Sequence, residues 1–179
     1  MRSFAAALAL IMVGVEAASH RGSCADNPVS GKSNFNEDSY AGRWYEVAKD
    51  KDFYDDSKSC PAEDFVKKFN GDMIVARNYY DLDNGWTQKT LDSVLSRSGR
   101  GEYVVFTEGN GADFRDANTS FYVLNTDYSS YSIEYVCVDV VPGLFYVDSV
   151  SVKSRTPQLP SSEQDYINVL LTTILPNYD

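Results

Sequence analysis

The sequence predicts an all-β fold: an eight-stranded antiparallel up-and-down barrel with one C-terminal α-helix packed outside. Short runs of apolar or alternating residues recur along the chain, with turn residues between them and no helical spacing before the tail. Such a meander is economical when it closes on itself, because closure removes both exposed sheet edges. The alternation is imperfect, so a two-sheet sandwich is the structural alternative.

Length and composition fit one globular domain behind a leader. The 179 residues are 43% hydrophobic and 23% charged, which is enough for one buried core. We divide the chain into a signal peptide at residues 1–18, an N-terminal arm at 19–41 and the barrel domain at 42–179. The leader prediction depends on Arg2, an apolar run at 4–15 that is too short to span a bilayer, and the small residues Ala17 and Ala18.

These features predict a secreted, extracellular protein without stable membrane insertion. The net charge is −10, and it stays −10 after cleavage because the leader carries one basic and one acidic residue. No basic block is present, so nucleic acid and anionic membrane surfaces are poor partners. The single histidine, His20, directly follows the predicted cleavage point. We therefore expect no His-dependent catalytic site, no metal site and no cofactor in the folded part.

The chain enters the barrel through an arm and a tryptophan-bearing strand. Residues 25–39 are rich in Asn, Ser, Pro and Gly, which is typical of an extended surface arm. The first strand is predicted at 43–51. Gly42 permits close backbone approach where the large ring of Trp44 seals a core, although an ordinary buried strand tryptophan is the alternative. The polar segment 52–59 is expected to form a broad loop that acts as a lid.

Seven further strands follow, joined by short turns. Hairpin turns are indicated by Asn70-Gly71, Asp83-Asn84-Gly85 and Pro142-Gly143. The predicted strands span residues 62–69, 73–80, 86–96, 102–107, 119–125, 131–140 and 144–153.

The tail changes to the period of an amphipathic helix. Ser161 or Ser162 is a candidate N-cap, and the helix is expected to end before Pro176. Its apolar stripe needs cover from the outer face of the sheet. The stripe consists of Ile167, Leu170, Leu171, Ile174 and Leu175.

Three separated segments together resemble the signature regions of the lipocalin family. They are Asn34-Phe35 with Gly42-Arg43-Trp44-Tyr45-Glu46, then Thr126-Asp127-Tyr128 with Tyr131, and finally Arg155 followed by Pro157 and Pro160. Each segment alone is weak, but their order and the single terminal helix cover nearly the whole mature chain. Within the family, the likeness is greatest to the apolipoprotein D and bacterial outer-membrane lipocalin branch.

The resemblance implies one closed end of the barrel. Arg155 is expected to lie over the face of Trp44 and to donate to backbone carbonyls of the first strand. Asp127 is expected to accept backbone amides in the adjoining turn, which is a structural role. The predicted closure residues are Gly42, Trp44, Thr126, Asp127, Tyr128 and Arg155.

The resemblance also implies a disulfide between Cys24 and Cys137. Such a bridge contributes about 4 kcal/mol in the chain-entropy model. Cys60 corresponds to a second family cysteine whose partner lies in a C-terminal extension that this sequence lacks. We expect a free thiol buried under the loop and a monomer; an intermolecular disulfide or a non-covalent oligomer is the alternative.

A cup that is open at one end and binds one small hydrophobic ligand is the function that the resemblance implies. Strand parity taken from the family suggests which side chains line the cup, although a register slip of one residue would reverse any strand. Arg77 either meets an anionic ligand group or extends to solvent. The predicted lining residues are Phe65, Val75, Arg77, Tyr79, Tyr103, Val105, Tyr122, Leu124, Ser149 and Ser151.

We therefore expect a non-enzymatic carrier for transport, storage or sequestration of a lipid, retinoid, carotenoid or tetrapyrrole pigment. Ser149, Ser151 and Lys153 replace bulky apolar residues of that branch, so the family's specificity does not transfer. One alternative is an isomerase-like lipocalin that uses Cys60. Another is a defence or signalling lipocalin that binds proteins through its acidic loops. Asn118-Thr119-Ser120 is a candidate glycosylation site.

Overall fold

A computed structural model describes residues 19–27, 29–50, 58–70, 72–97, 100–108, 119–176 and 178. These residues form one antiparallel sheet, two α-helices and a short 3-10 helix at Cys24–Asp26. The strands are β1 (Ser19–Arg21), β2 (Gly42–Lys49), β3 (Lys58–Lys67), β4 (Met73–Asp81), β5 (Gly85–Arg97), β6 (Glu102–Glu108), β7 (Thr119–Thr126), β8 (Tyr131–Val141) and β9 (Phe145–Ser154). The helices are α1 (Glu37–Tyr40) and α2 (Ser161–Ile174).

The sheet closes on itself, as the sequence predicts. Strands β2 to β9 pair in chain order, and β9 pairs with both β8 and β2. Lys153 of β9, for example, lies opposite Ser132 on one side and Glu46 on the other. The eight-stranded antiparallel barrel is therefore confirmed, and the sandwich alternative is wrong.

The N-terminal arm contains more structure than predicted. Residues 19–21 form β1, which pairs with residues 145–147 of β9, and α1 is capped by the Asn36 side chain, which accepts from the Ser39 amide. The expectation that His20 lies outside the folded part is wrong. Its Nε2 lies 3.0 Å from Oδ1 of Asp148, a buried carboxylate that the histidine helps to satisfy.

Two apolar clusters lie on opposite faces of the barrel wall. The outer cluster packs against α2 and contains Leu124, Tyr131, Ile133, Tyr135, Cys137, Val150 and Val152, together with Cys24 and Ile167. The inner cluster contains Phe35, Tyr40, Trp44, Phe65, Met73, Val75, Tyr103, Phe121 and Val123. The predicted helix stripe is confirmed, because Ile167 is buried and the other four stripe residues pack against the outer cluster.

Helix α2 begins at Ser161, and its N-cap is Pro160, which makes no side-chain cap bond. The predicted serine cap is therefore wrong, whereas the predicted end before Pro176 agrees with the last helical residue, Ile174. None of the helices in the described ranges is long and apolar enough to cross a bilayer.

Candidate functional site

The closed end of the barrel is built around Trp44 and Arg155. Trp44 is fully buried, and its indole nitrogen donates to the Tyr40 carbonyl at 2.8 Å. The guanidinium carbon of Arg155 lies 3.7 Å from the centroid of the Trp44 ring. Arg155 also donates to the carbonyls of Arg43, Ser39 and Tyr40 at 2.9 to 3.1 Å. One side chain therefore caps the tryptophan and ties the entrance of β2 to the end of β9.

The same contact explains the glycine at the start of β2. Gly42 has a φ of +99°, and a Cβ there would lie 3.3 Å from Nη1 of Arg155. Any other residue would be strained and would crowd the guanidinium. Partial burial lowers the pKa of Arg155, although Tyr40 and Asp127 favour its charge.

Asp127 organises the turn between β7 and β8. Its carboxylate accepts the backbone amides of Ser129, Ser130 and Tyr131 at 2.8 to 3.1 Å. Burial opposes ionisation of Asp127, but the hydrogen bonds from Ser130 and its neighbours lower the pKa of Asp127 to about 2. The turn presents the Tyr128 carbonyl to Nε of Arg155 at 3.0 Å. The role of Asp127 in this structure is that of a turn acceptor.

A second predicted turn residue, Thr126, holds the same turn from inside. Its hydroxyl donates to the Tyr131 carbonyl at 2.6 Å and accepts from the Tyr128 amide. The structure thus brings all six predicted closure residues together at one end of the barrel.

Aromatic rings fill the barrel directly above Trp44. Tyr40 stacks on Trp44 with centroids 5.1 Å apart, and Phe65 meets Tyr40 edge-on at 5.0 Å. The ring centroid of Phe121 lies 6.3 Å from that of Phe65 and 6.0 Å from that of Tyr103. All five rings are at most 5% exposed. Among the described residues, this end of the barrel is therefore packed as a core.

A layer of paired charges lies within the barrel next to these rings. Nζ of Lys153 contacts Oε2 of Glu63 and lies 2.6 Å from Oε2 of Glu134. Nε of Arg77 donates to Oε1 of Glu63 at 2.8 Å, and the Tyr40 hydroxyl donates to Oε1 of Glu134. Lys153, Glu63 and Glu134 are buried. We call these five side chains, Tyr40, Glu63, Arg77, Glu134 and Lys153, the charge layer.

The pairing determines how the charge layer ionises. Burial opposes ionisation of Glu63, but Lys153 and Arg77 lower the pKa of Glu63 to about 2. Burial and the like charge of Glu63 raise the pKa of Glu134, and the opposing effect of Lys153 is smaller. Although burial opposes its charge, Glu134, Glu63 and Glu46 raise the pKa of Lys153. The Lys153 ammonium therefore forms ion pairs with both Glu63 and Glu134.

The barrel interior becomes accessible to solvent at the charge layer, on the side away from Trp44. On β4, inward-facing Val75 is 4% exposed, whereas the side chain of Arg77, two residues further along, is 45% exposed. Because Arg77 pairs with Glu63 in both register and side-chain contact, it projects into the barrel and not to the outer face. The lumen therefore begins at the level of Arg77.

The predicted lining residues on β3, β4 and β6 are considered first. Phe65, Val75 and Tyr103 face inward but belong to the buried floor. Arg77 lies at the lumen, and Tyr79 follows it on the same face of β4. The side chain of Val105 lies outside the described residues, as does Asn118.

Strand β9 carries two further predicted lining residues. Ser149 and Ser151 are buried on the same face of β9 as Lys153. The Ser149 hydroxyl has no hydrogen-bond partner among the described residues. This part of β9 therefore presents hydroxyls to the barrel interior, and not the bulky apolar side chains of the resembling branch.

The predicted inward orientation of Tyr122 and Leu124 is wrong. Both lie in the outer cluster, and Tyr122 contacts the Tyr135 ring at 5.9 Å. Phe121 and Val123 occupy the interior instead. The inward-facing set of β7 is therefore shifted by one residue from the set that the family resemblance implies, and such a shift reverses every side chain of a strand.

Sequence reasoning also missed Glu63, Glu134 and Val136 as inward residues. Glu63 lies two residues before Phe65, and Val136 lies two residues after Glu134, so period-two alternation would have placed them. Charged residues at such positions are usually assigned to solvent. The alternation therefore indicates that these residues face inward, but the free-energy cost of burying a charged side chain argues against that assignment when only the sequence is known.

The predicted disulfide is present. Cys24 is bonded to Cys137 across 113 residues of sequence, which fastens the N-terminal arm to β8. Cys60 is free, as predicted, but it is exposed and not buried. Strand β3 begins at Lys58, before the predicted start, and shifts register between Ser59 and Ala62, which places Cys60 on the surface of an irregular strand.

A separate cleft of about 310 Å³ lies outside the barrel, between α2 and the strands β2 and β9. Val150, Val152, Leu171 and Leu175 supply its apolar lining. Tyr178 lies at this cleft and donates to Asp50 at 2.7 Å. The cleft is distinct from the lumen, because its lining residues belong to the outer cluster.

Comparison with known proteins identifies one family. The model of the lipocalin / cytosolic fatty-acid binding protein family matches residues 41–176. Apolipoprotein D of Macaca fascicularis is 28% identical over 156 residues, which cover 85% of this chain and 76% of that protein. The Lazarillo protein of Schistocerca americana is 29% identical over 141 residues, which cover 76% of this chain and 61% of that protein.

Solved structures show the same fold. Insecticyanin from the tobacco hornworm Manduca sexta matches with a TM-score of 0.69 and 21% identity, covering 90% of this chain and 84% of that one. A biogenic amine-binding protein matches with a TM-score of 0.61 and 20% identity, covering 83% and 81%. At these identities the likeness shows a shared architecture and does not transfer a ligand.

Proposed function

The chain belongs to the lipocalin family, and from that premise we propose that it is a carrier that binds one small hydrophobic molecule inside the barrel. The bound molecule is held, shielded and released unchanged. The proposed site is the lumen above the charge layer, with Arg77, Tyr79, Val136, Ser149 and Ser151 on its walls.

The observation that carries this proposal is the change in accessibility along β4. Val75 is buried at 4%, and Arg77 is 45% exposed although it faces the barrel interior. A barrel packed solid along its length would bury both. A closed floor beneath an accessible lumen is the arrangement that a single-ligand cup requires.

The relatives support the coarse class of ligand. The relatives with the higher sequence identity include apolipoprotein D from several mammals. A lipid, retinoid, carotenoid or tetrapyrrole pigment is compatible with a lumen whose walls mix aromatic, aliphatic and hydroxyl groups.

We also propose that the protein is secreted after cleavage near Ala17 or Ala18 and that Asn118 carries a glycan. The Cys24–Cys137 disulfide supports an oxidising compartment. Edman sequencing of the exported protein and a mass shift after glycosidase treatment test these two points.

Catalysis through Cys60 is disfavoured by its position. An isomerase-like lipocalin needs its thiol inside the cup, and Cys60 is exposed on β3. Binding of a protein partner through the acidic loops remains the second candidate, but those loops fall outside the described residues.

Native mass spectrometry of the protein purified from its own source tests the proposal. We expect a fraction of molecules to carry one additional small molecule that is lost on denaturation. Organic extraction followed by mass analysis then identifies it, and visible absorbance separates a pigment from a lipid. Protein that carries no adduct and also fails to bind any apolar probe saturably would contradict the proposal.

A cavity-filling pair of variants locates the site. Val136 packs partly buried at the inner cluster, so Val136→Trp places a large ring in the lumen. Val169→Trp is the matched control, because Val169 is 67% exposed on α2. We expect the first variant to lose binding and the second to retain it.

A further inference from the structure

We propose that the mature amino terminus binds one Cu(II) ion through the free amine of Ala18, the backbone nitrogens of Ser19 and His20, and the His20 imidazole. This inference rests on the proposed secretion, with cleavage after Ala17, and it is independent of the carrier function. The site lies at β1, on the outer face of the sheet and away from the lumen.

The sequence around the cleavage point determines which residue comes first. A signal peptide ends in small, uncharged residues at its last position and two positions before it. Cleavage after Ala17 places Ala17 and Val15 there, whereas cleavage after Ala18 places the charged Glu16 at the second of these positions. The mature chain therefore begins at Ala18, which itself lies outside the described residues, and His20 is its third residue.

A histidine in the third position after a free amine has a definite coordination chemistry. The amine, the next two amide nitrogens and Nδ1 of the imidazole form fused chelate rings around one ion, with four nitrogens at the corners of a square. Square-planar nitrogen coordination suits Cu(II) and Ni(II), and Cu(II) binds more tightly. The ammonium and amide protons that the metal displaces pass to solvent. Only one histidine is needed, and His20 supplies it.

The structure holds the His20 ring in the tautomer that this coordination requires. Nε2 of His20 lies 3.0 Å from Oδ1 of Asp148, and the Tyr135 hydroxyl donates to Oδ2 of the same carboxylate at 2.7 Å. A carboxylate only accepts, so the proton of the neutral ring lies on Nε2 and the lone pair lies on Nδ1. Among the described residues, Nε2 makes the only hydrogen bond of this ring. A carboxylate on the second ring nitrogen is the usual support of a metal-binding histidine.

The His20 ring is open to a metal ion from solvent. Its side chain is 43% exposed and stacks on Tyr146 with the ring centroids 4.9 Å apart. Burial and the charges of Asp148 and Asp26 raise the pKa of Tyr146, so two carboxylates act on the region beside the imidazole. The exposed cation Arg21 follows on the opposite face of β1, because side chains alternate along a strand. The surface next to His20 therefore favours a divalent cation.

Coordination competes with the pairing of β1 and β9. The Gly22 amide donates to the Leu144 carbonyl at 3.0 Å, and bonded pairs alternate along an antiparallel ladder. His20 and Tyr146 are therefore the next bonded pair, whereas the Ser19 amide points away from β9. The chelate brings neighbouring backbone nitrogens to the same side, which an extended Ser19 does not. Cu(II) therefore takes the His20 amide from Tyr146 and releases the end of β1, a three-residue strand whose opening costs little.

The test uses the exported mature protein, with its first residue determined by Edman sequencing. Copper sulfate is titrated in, and visible absorbance follows the d–d band that a square-planar four-nitrogen Cu(II) complex gives. We expect this band to saturate at about one ion per chain. Ni(II) forms a diamagnetic complex of the same geometry, so amide spectra then locate the ion. We expect the largest changes at Ser19, His20 and Tyr146, and no change at Trp44.

Two changes remove the coordination and keep the contact between His20 and Asp148. Ser19→Pro deletes an amide proton that the metal must displace and that donates nothing to β9, and Ser19→Ala is its matched control. A glycine added before Ala18 moves His20 to the fourth position and alters no residue of the fold. We expect Ser19→Pro and the extended chain to lose the d–d band and Ser19→Ala to keep it.

Three results would overturn the inference. One is the absence of the d–d band in protein that begins at Ala18. Another is a band that persists in both Ser19→Pro and the extended chain, because copper then binds elsewhere. The third is an exported protein that begins at another residue, because His20 is then not third. Each of these leaves the carrier function standing, since saturable binding of an apolar probe by the same sample tests that function separately.

Discussion

The guanidinium carbon of Arg155 lies over the Trp44 ring, 3.7 Å from its centroid and 111 residues away in sequence, and the contact closes one end of the barrel. The arginine also donates to four backbone carbonyls, on the N-terminal side of β2 and in the turn between β7 and β8. This contact fixes the floor on which the aromatic rings and the charge layer are stacked.

Replacing Arg155 should therefore destabilise the barrel strongly. We expect Arg155→Gln to lower the free energy of unfolding by about 2–4 kcal/mol, because it removes a cation–π contact and several charge-assisted hydrogen bonds. Arg155→Lys should recover less than half of the loss, since an ammonium lacks the planar fork. Urea unfolding measures both. Arg43→Gln, which breaks an exposed pair, should cost about 1 kcal/mol or less. Equal effects at the two arginines would contradict the assigned role.

Removing the Cys24–Cys137 disulfide should also be costly. The bridge closes a loop of more than a hundred residues, so we expect the Cys24→Ser, Cys137→Ser double variant to lose up to about 4–5 kcal/mol. Thermal and urea unfolding under non-reducing conditions give the value. Cys60→Ser should change stability by about 0.5 kcal/mol or less, because Cys60 is exposed. A large loss in Cys60→Ser would show a structural role that the exposed thiol does not suggest.

Breaking the charge layer at Lys153 should unfold or severely destabilise the protein. Lys153→Met leaves Glu63 and Glu134 buried without their shared cation, and losses of about 3–5 kcal/mol are typical of such changes. The control is Lys67→Met, which removes an ion pair to the exposed Asp38 and should cost about 1 kcal/mol or less. Chemical denaturation of the two variants in parallel checks this ordering. Similar stability of both would mean that the layer is solvated.

Acid should weaken the fold through Glu63. The pKa of Glu63 is about 2 in the folded protein, below its ordinary value of 4.5. Between these pH values the unfolded chain binds more protons than the folded one. The stabilisation that ionised Glu63 gives the folded state is therefore complete above about pH 4.5 and is lost as the pH falls toward about 2.

The Glu63→Gln variant tests this linkage. We expect it to be less stable than wild type at neutral pH, because Lys153 and Arg77 lose a partner, and to lose less additional stability between pH 4.5 and 2. Urea midpoints at several pH values provide the comparison. Parallel curves for the two proteins in that window would contradict the assigned pKa shift.

Much of the fold was predictable from turn chemistry and periodicity. Asp83-Asn84-Gly85 forms its hairpin turn, with Gly85 at a φ of +81° and the Asp81 carboxylate accepting two backbone amides. Strand β1 was missed because three residues beside a predicted cleavage point carry no pattern long enough to recognise. The orientation of β7 was wrong because its period of two fixes the alternation but not which set faces inward.

The closed end was predictable and the lumen was not, for a physical reason. Arg155 contacts Trp44 directly, and Asp127 accepts the backbone amides of its own turn, so residue type and spacing indicate the roles of all three. Glu63 and Lys153 look like ordinary surface charges in the sequence, and only the closed sheet brings them together inside the barrel. Their burial depends on partners that are 90 residues apart.

The measurement that tests the central claim most directly is a titration of isotope-labelled protein with cis-parinaric acid, followed by amide chemical shifts. We expect saturation at about one molecule per chain, with the largest shifts at Arg77, Tyr79, Val136 and Ser149. Shifts concentrated instead at Val150, Leu171 and Tyr178, the outer cleft, or a response that does not saturate would contradict a ligand site inside the barrel.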